Sequence, residues 1–163
     1  MTVAVVCTDV RTADDPPVAL DCERWRRLAT DVLRAEGASG ELTLTFVDRT
    51  EIAALNAAHM GKDGPTDVLS FPLDEEPTPG VPTLLGDVVV SPAVADEQHP
   101  THAGTLEDEL ALLVVHGILH VLGHDHARPE QDVAMRAREL EHLSAFHWQG
   151  PAPAGFRRDH AAE

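Results

Sequence analysis

The chain has 163 residues, of which 43% are hydrophobic, enough for one domain with a buried core. Its 28 acidic residues outnumber 12 basic ones, and the formal net charge of −16 is the reverse of the basic surface typical of nucleic-acid binders. The longest apolar run, 110–123, is shorter than the ~20 residues of a membrane-spanning helix. Composition therefore excludes a membrane-spanning helix and by itself favours basic partners over nucleic acid.

Hydrophobic periodicity predicts an alternation of strands and helices that is not a strict βαβ repeat. In chain order the predicted elements are a strand at 3–8, a helix at 21–36, a strand at 41–48, a helix after Thr50, strands at 68–71 and 86–90, a short helix at 92–98, a long helix after Thr105 and a last helix at 129–146. This mixture favours an α+β fold. We expect a single domain over 1–150 and a flexible tail over 151–163.

Side chains at the helix starts predict caps and turns. Thr50, Ser91 and Thr105 are each placed to accept a hydrogen bond at a helix N-terminus. The acidic, proline-rich stretch 74–82 is expected to be an exposed, mobile loop. His99 and His102 lie in a predicted loop and are expected to face solvent. The residues of the last helix expected to be available for burial are Val133, Met135, Leu140 and Leu143.

The N-terminal region carries no export signal, because no basic segment precedes its short apolar stretch. Cys7 and Cys22 also lack the spacing of a metal-binding motif. We therefore expect a cytoplasmic protein in which both cysteines are free thiols.

The motif HxxxHxxGxxH in the long helix and just after it predicts a metal site. His116 and His120 are four residues apart and share one face of a helix. Gly123 allows the chain to turn back, so that His126 returns to the same point. Three neutral imidazoles suit a catalytic Zn²⁺ with an open fourth position, although Ni²⁺, Co²⁺ or Cu²⁺ are also compatible. His124 is a further candidate, ranked below His126.

The position that carries the general-base glutamate of HExxH metalloproteases is here Gly117. A peptidase or amidase would need a base from elsewhere, and the acids considered for that role are Glu107, Glu109 and Glu130. A different kind of zinc hydrolase is therefore favoured. Asp125 has two open roles, as an acceptor that orients an imidazole or as a cap of the local turn.

Three blocks of the sequence resemble the YbeY family of zinc-dependent endoribonucleases. The stretch 116–126, HGILHVLGHDH, matches the family pattern HGxLHxxGxDH at every fixed position. The stretches GPTDVLSFP at 64–72 and GDVVVSP at 86–92 are similar to two further family blocks, in the same order and at fitting spacing.

The resemblance implies a small mixed sheet of about four strands packed with about five helices, with the metal site at the C-terminal end of the central helix. It implies that His116, His120 and His126 are the metal ligands and, through the metal, the catalytic residues. By family analogy, Lys62, Asp67 and Ser70 flank the substrate cleft, although loop charge, capping and strand polarity explain these residues equally well. The sequence departs from the family at Met60, where well-known members have an arginine that helps to bind RNA phosphate. Lys62, Arg49 and Arg128 are the candidates to replace it.

The implied activity is cleavage of single-stranded RNA, chiefly in 3′-end maturation of small-subunit (16S) ribosomal RNA, together with ribosome quality control. The implied partners are ribosomal RNA, small-subunit ribosomal proteins and an assembly GTPase. Either a metal-activated water or the ribose 2′-OH is a possible nucleophile. The alternative from a different class is a metal-stabilised assembly factor that binds ribosomal proteins and cuts nothing.

Overall fold

The computed structural model describes residues 2–12, 18–73 and 78–156, and in these ranges it has four strands and five α-helices. In chain order they are β1 Val3–Asp9, α1 Cys22–Ala35, β2 Gly40–Phe46, α2 Arg49–Met60, β3 Val68–Pro72, β4 Leu84–Val90, α3 Pro92–Gln98, α4 Leu106–Val121 and α5 Pro129–Leu143. A 3₁₀ turn at His99–Thr101 follows α3, and a π-helical turn at Ser144–Trp148 follows α5. The α+β class predicted from the sequence is confirmed.

The four strands form one mixed sheet in the order β1-β2-β4-β3. β1, β2 and β4 run parallel, whereas β3 is antiparallel to β4. Alternate residues of a strand face opposite sides, so Val88 and Val90 join the main core while Val89 packs with Ile52 of α2. The main core lies between the sheet and helices α1 and α4, and α2 covers part of the other face.

From Leu110 to Leu119 the central helix α4 is buried and, apart from His116, apolar, because it packs against α1, α3, α5 and strands β3 and β4. Its N-terminus is capped as predicted, with the Thr105 hydroxyl accepting from the Asp108 N–H at 3.1 Å. Gly117 lies where α4 meets the sheet. A Cβ atom at this position would be 2.6 Å from Cγ1 of Val88, so the close packing of helix on sheet requires glycine.

Helix α2 begins earlier than predicted, with Asp48 rather than Thr50 at the cap position. The buried Asp48 carboxylate accepts from the backbone N–H and the hydroxyl of Thr12, each at 2.6 Å. These bonds hold residue 48 in an extended conformation, so the helix starts at the next residue. Thr50 therefore lies inside the first turn.

Three side chains lie elsewhere than predicted. Val133 is 68% exposed. The buried residues of α5, which include Met135 and Glu139, are about one helical turn apart and form one face of the helix, and Val133 lies on the opposite face. His102 is buried, because the fully buried Glu109 carboxylate accepts its Nδ1–H at 2.7 Å. His99 is half-buried, and its Nδ1–H donates to the Gly104 carbonyl at 3.2 Å.

The predicted mobile loop 74–82 and the predicted tail 151–163 lie partly outside the described residues. In the described part of the tail, the Phe156 ring packs edge-on against Trp148, with ring centroids 4.8 Å apart. No helix in the described ranges is long and apolar enough to cross a bilayer.

Candidate metal centre and its cleft

His116, His120 and His126 meet at the C-terminal end of α4, and we call them the histidine triad. One ring nitrogen from each residue lies within 4.8 Å of the other two. The first two histidines are one helical turn apart, and Gly123, with φ of 99°, turns the chain so that His126 packs against both rings. His116 is buried, whereas His120 and His126 are partly exposed.

Glu139 of α5 fixes the orientation of the His116 ring. The Nδ1–H of His116 donates to Oε2 of Glu139 at 2.6 Å, and the glutamate is only 1% exposed. With the proton held at Nδ1, a neutral ring presents the Nε2 lone pair to the triad. A carboxylate behind a histidine is the usual support of a metal-binding imidazole.

The triad fits a metal ion. Nε2 of His120 lies 3.0 Å from Nε2 of His116. Two nitrogens bound tetrahedrally to one zinc ion are separated by about 3.3 Å, given Zn–N bonds of about 2.0 Å. Neutral imidazoles, one of them backed by a carboxylate, therefore form a donor set that suits Zn²⁺ or a similar transition metal.

The chain has no room for the glutamate of a metalloprotease. That residue would occupy position 117, where even a Cβ atom meets Val88 of the sheet. The three other acids considered as a general base each contact another side chain. Glu109 is enclosed with His102 and Gln98, Glu107 pairs with Arg24, and Glu130 is an exposed partner of Arg128. These contacts argue against the peptidase alternative.

A cleft of about 640 Å³ opens onto the triad, and we call it the front cleft. Among its walls are the end of α2, the loop that follows and strand β3. Gly61, in the left-handed conformation with φ of 66°, ends α2, and Asn56 donates from its amide to the Gly64 carbonyl at 3.0 Å. These two residues shape the loop that brings Lys62 to the cleft wall.

The three predicted substrate residues have different positions. Lys62 and Ser70 both line the front cleft, and the Ser70 hydroxyl donates to the Gly117 carbonyl of α4 at 3.0 Å. The Asp67 carboxylate is buried beneath the cleft. It accepts from its neighbour's N–H at Val68 and from the Gln98 amide, at 2.8 and 2.9 Å. Asp67 thus holds the cleft strand against α3.

A second cavity of about 350 Å³, which we call the α5 cavity, also reaches His116 and His126. Arg128 and Arg136 line it together with Glu139. Arg136 pairs with Asp132 one turn away, at 3.0 Å. The triad is therefore accessible from two cavities, each with at least one cationic side chain.

Comparisons with known proteins point to one family. The sequence profile described as Endoribonuclease YbeY matches residues 11–147. A protein named Endoribonuclease YbeY from Thermobifida fusca is 41% identical, over 91% of this chain and 94% of its own length. Its namesake from Salinispora tropica is 39% identical, over 84% of this chain and 95% of its own length.

The chain belongs to the endoribonuclease YbeY family. Membership confirms the family predicted from the three sequence blocks and, with it, the enzyme class, a nuclease. The solution structure of TM1509 from Thermotoga maritima has the same fold, with a TM-score of 0.56 and 24% identity, over 89% of this chain and 93% of that one.

Met60 occupies the position at which the resemblance led us to expect an arginine. Its side chain is 44% exposed at the wall of the front cleft. Of the candidates to replace the family arginine, Lys62 lines the same cleft, Arg128 lines the α5 cavity, and Arg49 forms an ion pair with Glu97 of α3.

Two supporting residues were missed in the sequence, Glu139 and Glu36. A signal for Glu139 exists, because it lies four residues after Met135 and four before Leu143 on the buried face of a predicted helix. Asp125 caps the local turn, with its carboxylate accepting from the His126 N–H at 2.7 Å. That is one of the two roles left open for it.

Proposed function

We propose that this protein is a zinc-dependent endoribonuclease that cuts single-stranded RNA at the histidine triad. The observation that carries the proposal is the geometry of the triad, whose three nitrogens converge at the floor of an open cleft. Family membership supports the choice of RNA over other phosphodiesters.

In this proposal each residue has a definite task. His116, His120 and His126 hold the metal, and Glu139 keeps the Nδ1 proton of His116 away from it. When bound, Zn²⁺ supplies a Lewis acid that offsets charge on phosphate oxygens and lowers the pKa of water. Lys62 contacts substrate phosphate from the cleft wall, while Ser70 and Asp67 fix the strand beside it.

The substrate we propose is the precursor 3′ end of small-subunit ribosomal RNA, cut in the cytoplasm during ribosome maturation and quality control. The net charge of −16 supports docking on basic ribosomal proteins, with a role for an assembly GTPase as a further partner. The same charge also favours the alternative, a metal-stabilised assembly factor without nuclease activity.

Metal analysis and an RNA cleavage assay on one purified sample separate these functions. We expect one zinc per chain and cleavage of single-stranded precursor RNA, and we expect His120→Ala to lose both, because two imidazoles no longer complete the site. His99→Ala, a half-buried histidine outside the triad, is the matched control. Bound zinc without cleavage, even with ribosomal subunits supplied, would establish the assembly factor instead.

A further inference from the structure

His126, unlike the other two triad residues, lies in a connection between helices. α4 ends at Val121 and α5 begins at Pro129. At the start of this connection the His124 N–H donates to the Leu119 carbonyl at 2.9 Å, which completes the end of the helix. A metal ligand in such a segment is held in place by whatever fixes the segment.

A buried glutamate from a distant helix contacts this connection. Glu36 follows the last residue of α1, and its side chain is 5% exposed. Its Oε1 accepts from Nε2–H of His124 at 3.2 Å, and its Oε2 accepts from Nε2–H of His142 at 2.6 Å. The same Oε2 forms an ion pair with Nε of Arg138 at 3.1 Å. We call these four residues the Glu36 cluster.

The cluster is well suited to act as an anchor. His142 is 4% exposed, so two of the four side chains are almost entirely enclosed. Burial by itself raises the pKa of the Glu36 carboxyl, but hydrogen bonds from His142 and His124 and the charge of Arg138 outweigh it and lower the pKa below its usual value. The carboxylate is therefore charged, and its short hydrogen bond from His142 is of the strong, charge-assisted kind.

We propose that Glu36, acting through His124, positions the connection that carries His126 and thereby slows release of the metal. The inference rests on the metal site proposed above and assigns a role to the fourth histidine of the motif. His124 is a positioning residue, because its ring nitrogen faces Glu36 while the triad nitrogens face one another. A neutral imidazole is sufficient for this hydrogen bond.

The test measures zinc release from the loaded, full-length protein into an excess of a chromogenic chelator. His124→Phe keeps a ring but removes the donor, and Glu36→Gln removes the charge. We expect both to release zinc about tenfold faster, the lower end of the effect of removing groups that support metal ligands. His124→Gln retains a side-chain N–H donor and should release zinc at nearly the wild-type rate. Glu23→Gln, an exposed acid of α1 paired with Arg26, is the control and should change nothing.

Three results would overturn the proposal. One is unchanged release from His124→Phe and Glu36→Gln, and another is a wild-type protein that holds no zinc. The third is His124→Gln releasing zinc as fast as His124→Phe, which would show that the ring only fills space. If Glu36→Gln does not fold, the zinc release rates of His124→Phe and His124→Gln test the proposal without it. Because cleavage is not the readout, a protein that holds zinc but cuts no RNA would refute the proposed function and leave this inference standing.

Discussion

A single proton on His116 determines what the triad can bind. Glu139 accepts the Nδ1–H at 2.6 Å, so the other nitrogen is free to act as a ligand. The Glu139 carboxylate is enclosed between α4 and α5, where its charge is poorly screened by solvent. The Glu139 carboxylate makes the His116 imidazole a better metal ligand, so removing that carboxylate should lower the metal affinity.

We expect Glu139→Gln to bind zinc about tenfold more weakly than the wild type, because the amide keeps the shape and one acceptor but loses the charge. Competition with a chelator of known affinity measures the effect. Glu130→Gln, on an exposed position of the same helix, is the matched control. Equal affinities for wild type and Glu139→Gln would show that the carboxylate has no part in metal binding.

At the scale of elements, the site depends on how closely α4 approaches the sheet. The glycine at 117 permits that approach, and the Ser70 hydroxyl bonds to its carbonyl at 3.0 Å. The helix therefore presents His116 and His120 beside the strand that forms the cleft wall. The close approach of α4 to the sheet and the position of the two histidines beside the cleft wall both depend on the glycine at position 117.

Gly117→Ala should destabilise the protein. Overpacking against Val88 costs about 1–3 kcal/mol, and the better helix propensity of alanine returns about 1 kcal/mol. In a Val88→Ala background the closest contact is absent, while Ser70 Oγ and Val68 Cγ2 still lie 3.3 Å from the added Cβ, so there the same substitution should destabilise the protein less. Urea unfolding of the four proteins measures both effects. A similar loss in both backgrounds would mean that Val88 does not set the limit.

The Glu36 cluster joins α1 to α5 in a way that depends on pH. The pKa of Glu36 is lowered in the fold, so its stabilisation is present above the unfolded value of about 4.3 and is lost as pH falls through the folded value. The difference in unfolding free energy between wild type and Glu36→Gln should therefore be smaller at about pH 3.5 than at about pH 5.5. A difference that grows on acidification would contradict this assignment.

The parts of the site that the sequence predicted are local. The triad spans 11 residues, and its spacing, the glycine turn and the Thr105 cap can each be derived from short-range geometry. Glu139 and Glu36 reach their histidines by tertiary packing, across sequence separations of 23 and 88 residues. A pattern read along the chain does not contain such contacts. His102 and Glu109 are only seven residues apart, and the burial of His102 was missed because it depends on how the turn between α3 and α4 folds back onto α4.

Across the whole molecule, acidic residues are in excess and several arginines are already paired. Arg24, Arg26 and Arg49 contact Glu107, Glu23 and Glu97. Lys62 lines the front cleft, and Arg128 and Arg136, which form ion pairs with Glu130 and Asp132, line the α5 cavity. A single RNA strand that crosses the triad would therefore find cationic groups in both cavities, within a surface that repels it elsewhere.

Lys62→Gln should weaken binding of single-stranded RNA and lower the salt dependence, by about 1 in the slope of log K against log salt, as expected for one lost phosphate contact. Fluorescence anisotropy over a range of salt concentrations measures both. Arg27→Gln, an exposed residue of α1 that does not line the front cleft, should leave the slope unchanged. An unaltered slope for Lys62→Gln would remove this lysine from the substrate contacts.

The position of Glu139 after the triad in the sequence has a consequence for truncated chains. A nascent or truncated chain that stops before α5 contains all three triad histidines but has no acid to orient His116 and no α5 packed against α4. Helix α5, which follows the triad in the sequence, thus completes the site. A chain truncated before α5 should therefore bind zinc more weakly than the full chain, as expected also for Glu139→Gln.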